Sequence, residues 1–286
     1  MIFADRDLLR RMQAALLPPA AGYRRTRQAT PASAPPIRAA VTAAVATLFR
    51  PELATQAGAG FLASLACDDL DALTAALWPR AWRERSFIVE GAGYLPPAGP
   101  LVVASFHLSG GFRVFDALAA RGFRPAFLRV PFSGEGSRYQ RIIERARAVH
   151  FRRVLGDRLI EVGPQARERL RAHLAEGGAV VALLDVAPAS LGLRDTATAV
   201  LFGREVRLAV GLMRLAVDTG ASVLPYEGRI ENDARILRFH PPVTGSTPEE
   251  ILRATVAALE LVIRQRPWDW QGWLDFEVFL ENRPRP

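Results

Sequence analysis

The chain has 286 residues, half of them hydrophobic, with 37 basic and 29 acidic side chains and a net charge of +8. That is enough apolar surface for a buried core without covalent staples, and the basic excess suits an acidic partner such as an anionic bilayer, an acidic protein or nucleic acid. Every basic side chain is arginine, which excludes Schiff-base chemistry and a lysine-dependent phosphate loop. The single Cys67 excludes an intrachain disulfide and has no Cys or His neighbours for a zinc site; no metal is expected.

Residues 1–86 carry helical periodicity and no strand pattern, and form an accessory front to a second unit at 87–286. Leu8, Leu9, Met12, Ala15 and Leu16 mark one amphipathic face. Further helices are predicted over 41–49 and 69–78, and the Pro-, Ala- and Arg-rich stretch 20–36 reads as a flexible connector. No stretch reaches the roughly 20 apolar residues of a membrane span, and Met1 to Asp7 lack a signal-peptide pattern, so a cytoplasmic protein is expected.

From Ser86 onward short apolar runs alternate with amphipathic segments. Strands are predicted over 87–90, 101–106, 125–129, 179–184, 200–207 and 223–230, with a hairpin return over 235–239. Helices fit 113–120, 137–148, 163–176, 209–219 and 248–266. The alternation implies an α/β fold, a mixed and mostly parallel sheet flanked by helices.

The strand over 101–106 delivers His107, followed by Leu108, Ser109, Gly110 and Gly111 at a helix start. An imidazole at the carboxyl end of a buried strand stands where open α/β sheets do chemistry. Other patterns are weaker. Gly58, Gly60 and Ala63 match the dinucleotide spacing in letters, but no strand precedes them. No Gly-x-Ser-x-Gly elbow is present, and His150, His173 and His240 read as surface or packing residues. Arg141, Arg145, Arg147, Arg152, Arg153 and Arg158 form a basic stretch without interleaved aromatics, so no nucleic acid is expected.

Three further landmarks follow His107 in order: Pro125-Ala126-Phe127-Leu128-Arg129, the strand 179–184 ending on Asp185, and Ala199-Val200-Leu201-Phe202-Gly203-Arg204. The chain closes on Arg266-Pro267-Trp268-Asp269-Trp270-Gln271-Gly272-Trp273-Leu274. This order and spacing, over about residues 87–274, resembles the lipid A biosynthesis acyltransferase family within the lysophospholipid acyltransferase superfamily. The resemblance implies transfer of an acyl group from a thioester of acyl carrier protein or coenzyme A, as co-substrate rather than resident cofactor, to a hydroxyl or amine of a lipid or glycolipid. It implies His107 as general base, Gly110 and Gly111 as backbone donors, Arg129 and Arg204 as anion holders, and Asp185 at the family's strand-end aspartate. Members of the family often have a membrane helix ahead of this region. Without one, the protein is expected to sit peripherally on the inner membrane, drawn by acyl carrier protein or an anionic bilayer surface.

One departure matters. The family places a carboxylate five residues after the histidine, and here that position is Phe112; Val186 stands where the family has glutamine. The nearest downstream acid is Asp116, one helical turn or roughly 6 Å beyond Phe112, with a side chain short for the distance. Asp116 is thus the candidate partner for His107. The alternative is a catalytically impaired relative that binds acyl chains or acyl carrier protein.

Overall fold

A computed structural model describes residues 5–29, 35–130 and 137–281. Five helices come first: α1 (Asp5–Ala15), α2 (Pro19–Ala29), α3 (Pro35–Ala46), α4 (Pro51–Leu77) and α5 (Arg80–Glu84). Then follow β1 (Phe87–Glu90), β2 (Leu101–Ser105), α6 (Val114–Ala119), β3 (Pro125–Arg129), α7 (Arg138–Leu155), β4 (Leu159–Glu161), α8 (Ala166–Ala175) and β5 (Ala179–Leu183). The remainder is β6 (Thr196–Leu201), β7 (Arg204–Ala209), α9 (Gly211–Thr219), β8 (Ser222–Glu231), β9 (Ala234–Phe239), α10 (Pro248–Gln265) and α11 (Phe276–Leu280).

Seven strands form one sheet in the order β1-β9-β8-β2-β5-β3-β4. Every neighbouring pair is parallel except the β8–β9 hairpin, so the α/β expectation holds. The middle strands β2 and β5 are apolar along their length because helices cover both faces, and their side chains are almost wholly buried. Their register pairs Leu101 with Ala179 and Ser105 with Leu183. The residues that leave the two strands therefore emerge side by side.

Three predicted elements change. The expected connector 20–36 is helical over Pro19–Ala29: Pro19 suits a first helical turn, and Tyr23 is fully buried with its hydroxyl on Asp71 at 2.5 Å; residues 30–34 of that stretch lie outside the described residues. The short helix expected at 69–78 is the end of the 27-residue α4. Gly58 and Gly60 lie inside that helix, where a side chain on Gly60 would come within 2.9 Å of Trp268. Third, the strand expected over 200–207 is a β6–β7 hairpin outside the main sheet, because Phe202 and Gly203 both take positive φ and reverse the chain.

Helix α4 packs against α3, α7 and the segment Pro267–Asp269, and its acids Asp68, Asp69 and Asp71 are all buried. The front helices thus reach into the sheet unit rather than resting on its surface. No described helix is long and apolar enough to cross a membrane.

Candidate active site

His107 and Asp185 stand two residues beyond the paired Ser105 and Leu183, at the carboxyl ends of adjacent parallel strands. Their contact follows from that register. The Asp185 carboxylate accepts the His107 backbone N–H at 2.9 and 3.0 Å, lies 2.7 Å from His107 Nδ1 and accepts the Trp270 indole N–H at 2.7 Å. Burial alone would raise its pKa, but the adjacent His107 and the hydrogen bonds from His107 and Trp270 outweigh burial and hold it below the ordinary carboxylate value.

An ionised carboxylate only accepts hydrogen bonds, so the neutral imidazole carries its proton on Nδ1 and has Nε2 as its acceptor nitrogen. The His107 side chain is 34% exposed and the Asp185 side chain 1%. The imidazole thus has an accessible face, and the carboxylate on its Nδ1 side is sheltered.

Asp116 is engaged elsewhere, which corrects the expected pairing. It contacts Arg83 at 3.5 Å, Arg113 at 3.5 Å and the buried His150 at 3.7 Å, while the carboxylate on the His107 ring comes from the neighbouring strand. Phe112, in the family's acid position, packs edge-on against Phe127 and Phe151 with the Arg147 guanidinium 5.3 Å from its ring centre. Five residues after His107 the chain thus presents an aromatic wall.

That wall borders a largely apolar groove of about 800 Å³ that begins at His107 and runs between Phe127, Leu184, Leu191, Leu212 and Leu215. A groove of this size fits a lipid-sized ligand. Arg129 lies on its lining at the end of β3, with Nη2 bonded to Glu161 at 2.8 Å. Arg204 does not line it: the hairpin turn leaves Arg204 exposed at the start of β7, and the expectation that it holds substrate is not met.

The two glycines after His107 separate. Gly111 lines the small cleft beside His107 with Tyr226 and Gln271, its N–H on a long 3.3 Å bond to Leu108 O. Gly110 takes φ +74° and donates its N–H to Asp68 at 2.6 Å, so it is not free to serve a substrate. A Cβ on Gly110 would also sit 2.5 Å from the Arg235 guanidinium.

Asp68 is a residue that the sequence pattern does not single out. It lies 3% exposed and accepts Ser109 Oγ at 2.9 Å, Arg235 Nη2 at 3.1 Å and Gln271 Nε2 at 2.7 Å as well as Gly110. Burial pushes its pKa up to about 6; Arg235 pulls downward, Asp71 adds to the rise, and the Ser109 and Gly110 bonds resist it. Trp270 was missed too, although the tryptophan-rich close was the available signal. Burial pushes the Cys67 thiol pKa well above its ordinary value, leaving an inert core residue.

Fold and site together define an α/β protein with a His–Asp pair at adjacent strand ends, facing an apolar groove. No protein-family model matches the chain, and no curated protein matches it. Among solved structures, the chain is similar to the 1-acyl-sn-glycerophosphate (LPA) acyltransferase PlsC from Thermotoga maritima. That likeness has 16% identity and a TM-score of 0.40, over 73% of this chain and 83% of that one.

Proposed function

We propose that the protein is an acyltransferase that moves a fatty acyl group from a thioester of acyl carrier protein or coenzyme A to a hydroxyl of a lipid or glycolipid. The observation that carries this reading is the His107–Asp185 pair opening on an apolar groove of about 800 Å³. The ordered motifs that resemble lipid A biosynthesis acyltransferases support it.

In this reading the acceptor hydroxyl attacks the thioester carbonyl while His107 Nε2 takes its proton. Asp185 keeps the ring oriented and stabilises the imidazolium. The new C–O bond leaves a tetrahedral oxyanion, to which Gly111 N–H, in the same cleft as His107 and on a long bond to Leu108 O, donates. Collapse breaks the C–S bond, and the departing thiolate takes the proton from the imidazolium. Arg129 at the groove holds a phosphate of donor or acceptor.

Phe112 motivates the alternative of an impaired relative, and Asp185 on the imidazole weighs against it. Arg141, Arg145 and Arg152, exposed on α7, supply basic surface that attracts an anionic membrane carrying the acceptor or an acidic carrier protein bearing the donor. The test offers both thioester donors and total bacterial lipid to wild type and His107→Ala, with products read by mass spectrometry. A new acylated lipid made by wild type alone supports the reading. Equal product from a folded His107→Ala, or a bound donor without product from either protein, contradicts it.

A further inference from the structure

The loop that carries His107 lies beyond the end of β2, and Leu108 within it forms an isolated antiparallel bridge with Trp270. Ser109 N–H donates to Asp269 O at 2.9 Å, and Gln271 N–H donates to His107 O at 2.9 Å. The Gln271 side chain then donates to Asp68, which also receives the Ser109 hydroxyl and the Gly110 N–H. Behind Asp68 stands Arg235, fully buried, which also donates to Ser109 Oγ at 2.9 Å and contacts Asp71 at 2.6 Å.

We propose that Asp68 is a positioning residue: its carboxylate, anchored by Arg235, clamps the His107 loop from both flanks so that the imidazole and Gly111 N–H keep one placement beside the groove. The inference rests on the acyltransferase reading of the same site. It makes α4, from the front of the chain, part of the machinery that the sequence assigned to residues 87–286.

The chemistry requires a carboxylate and not merely a polar side chain. All four groups facing Asp68 are donors: a hydroxyl, a backbone N–H, a guanidinium and a side-chain amide N–H. An asparagine would present its own NH2 to one of them and strand that donor in a buried site. Fold stability alone does not call for such a pair, since buried ion pairs are often replaceable by apolar residues without loss. Its bonds converge instead on the loop two and three residues past the base.

The test compares wild type, Asp68→Asn, Ser109→Ala and Gln271→Leu by steady-state kinetics and by amide hydrogen exchange of residues 107–111. The proposal expects Asp68→Asn to lower kcat by about 10- to 100-fold, the size of effect a small misplacement of reacting groups produces, with the thioester KM changed by less than about twofold. It expects Gly110 amide exchange to speed up by more than about tenfold while thermal unfolding stays cooperative. Unchanged kcat and unchanged exchange in a folded variant would overturn it. If Asp68→Asn does not fold, the two milder variants decide, Gln271→Leu removing one bond to Asp68 and Ser109→Ala removing the bonds of its hydroxyl to Asp68 and Arg235: a kcat loss with unchanged KM supports the clamp, and wild-type kcat and exchange in both overturn it. If wild type turns over no thioester, the reading of the site fails, and exchange alone decides whether Asp68 holds the loop.

Discussion

At the scale of single residues, the expected partner of His107 and the observed one separate cleanly. Asp185 bonds the ring, while Asp116 pairs with Arg83 and Arg113 and lies 3.7 Å from His150, so their substitutions have opposite signatures. Asp185→Asn removes the charge that stabilises the imidazolium and is expected to lower kcat by about 10²- to 10⁴-fold, the usual range for general base catalysis, with the fold retained. Asp116→Asn is expected to leave kcat within about threefold and to cost about 1–3 kcal/mol of stability by unbalancing buried Arg113. Paired kinetics and urea unfolding check both. His107 was legible because an apolar run of strand length ended on an imidazole; Asp185 was legible as a strand-end acid, but its contact was not, because pairing register is absent from the linear order.

His150 adds a pH signature at the same scale. Burial lowers its pKa from 6.5 to about 4, Asp116 pulling upward and nearby arginines pushing down. The folded protein thus holds it neutral where the unfolded chain protonates it. Stability is lost as pH falls from 6.5 toward 4, and the loss is complete below 4. The shift corresponds to about 3 kcal/mol in total, of which about 2 kcal/mol falls between pH 7 and pH 5. Asp68, raised to about 6, acts with the opposite sign over an overlapping window. The difference between wild type and His150→Asn isolates the histidine: unfolding free energies at pH 7 and pH 5 are expected to diverge by about 2 kcal/mol, and parallel values would contradict the assignment.

Among elements, the groove is shared by α8, α9 and the ends of β3 and β5, with Leu170 and Leu212 buried on the two helices. Filling it with Leu212→Trp is expected to penalise long acyl donors more than short ones, at about 1–3 kcal/mol for each methylene displaced. A series of kcat/KM values against chain length reads the effect, and equal losses at every length would place the chain elsewhere. Strand and helix alternation made most of the sheet readable, since β2 and β5 are short, almost wholly apolar runs. The β6–β7 hairpin escaped because positive φ at Phe202 is a rare state that side-chain type does not announce. Helix α2 escaped because the arginines that suggested a solvated connector instead pair with a distant acid, Arg24 and Arg27 meeting Asp233 at 2.7 and 3.3 Å.

Across the whole molecule, the helices before Phe87 and the sheet are joined through a buried polar seam. Tyr23, Asp68 and Asp71 meet Arg113, Arg235 and Ser109 there. Nothing in the composition of residues 1–86 announced that seam, because its partners lie up to 167 positions away. His107, Asp185 and Asp68 come from three parts of the chain, and only the assembled protein has the site.

The central claim is that the His107–Asp185 pair drives acyl transfer. The direct measurement is thioester consumption coupled to mass-spectrometric detection of acylated lipid, with wild type, His107→Ala and Asp185→Asn compared on the same donors and acceptors. The expected result is product from wild type, none from His107→Ala, and turnover reduced by about 10²-fold or more from Asp185→Asn. Equal turnover by all three folded proteins, or none from wild type with a bound thioester donor, would contradict it.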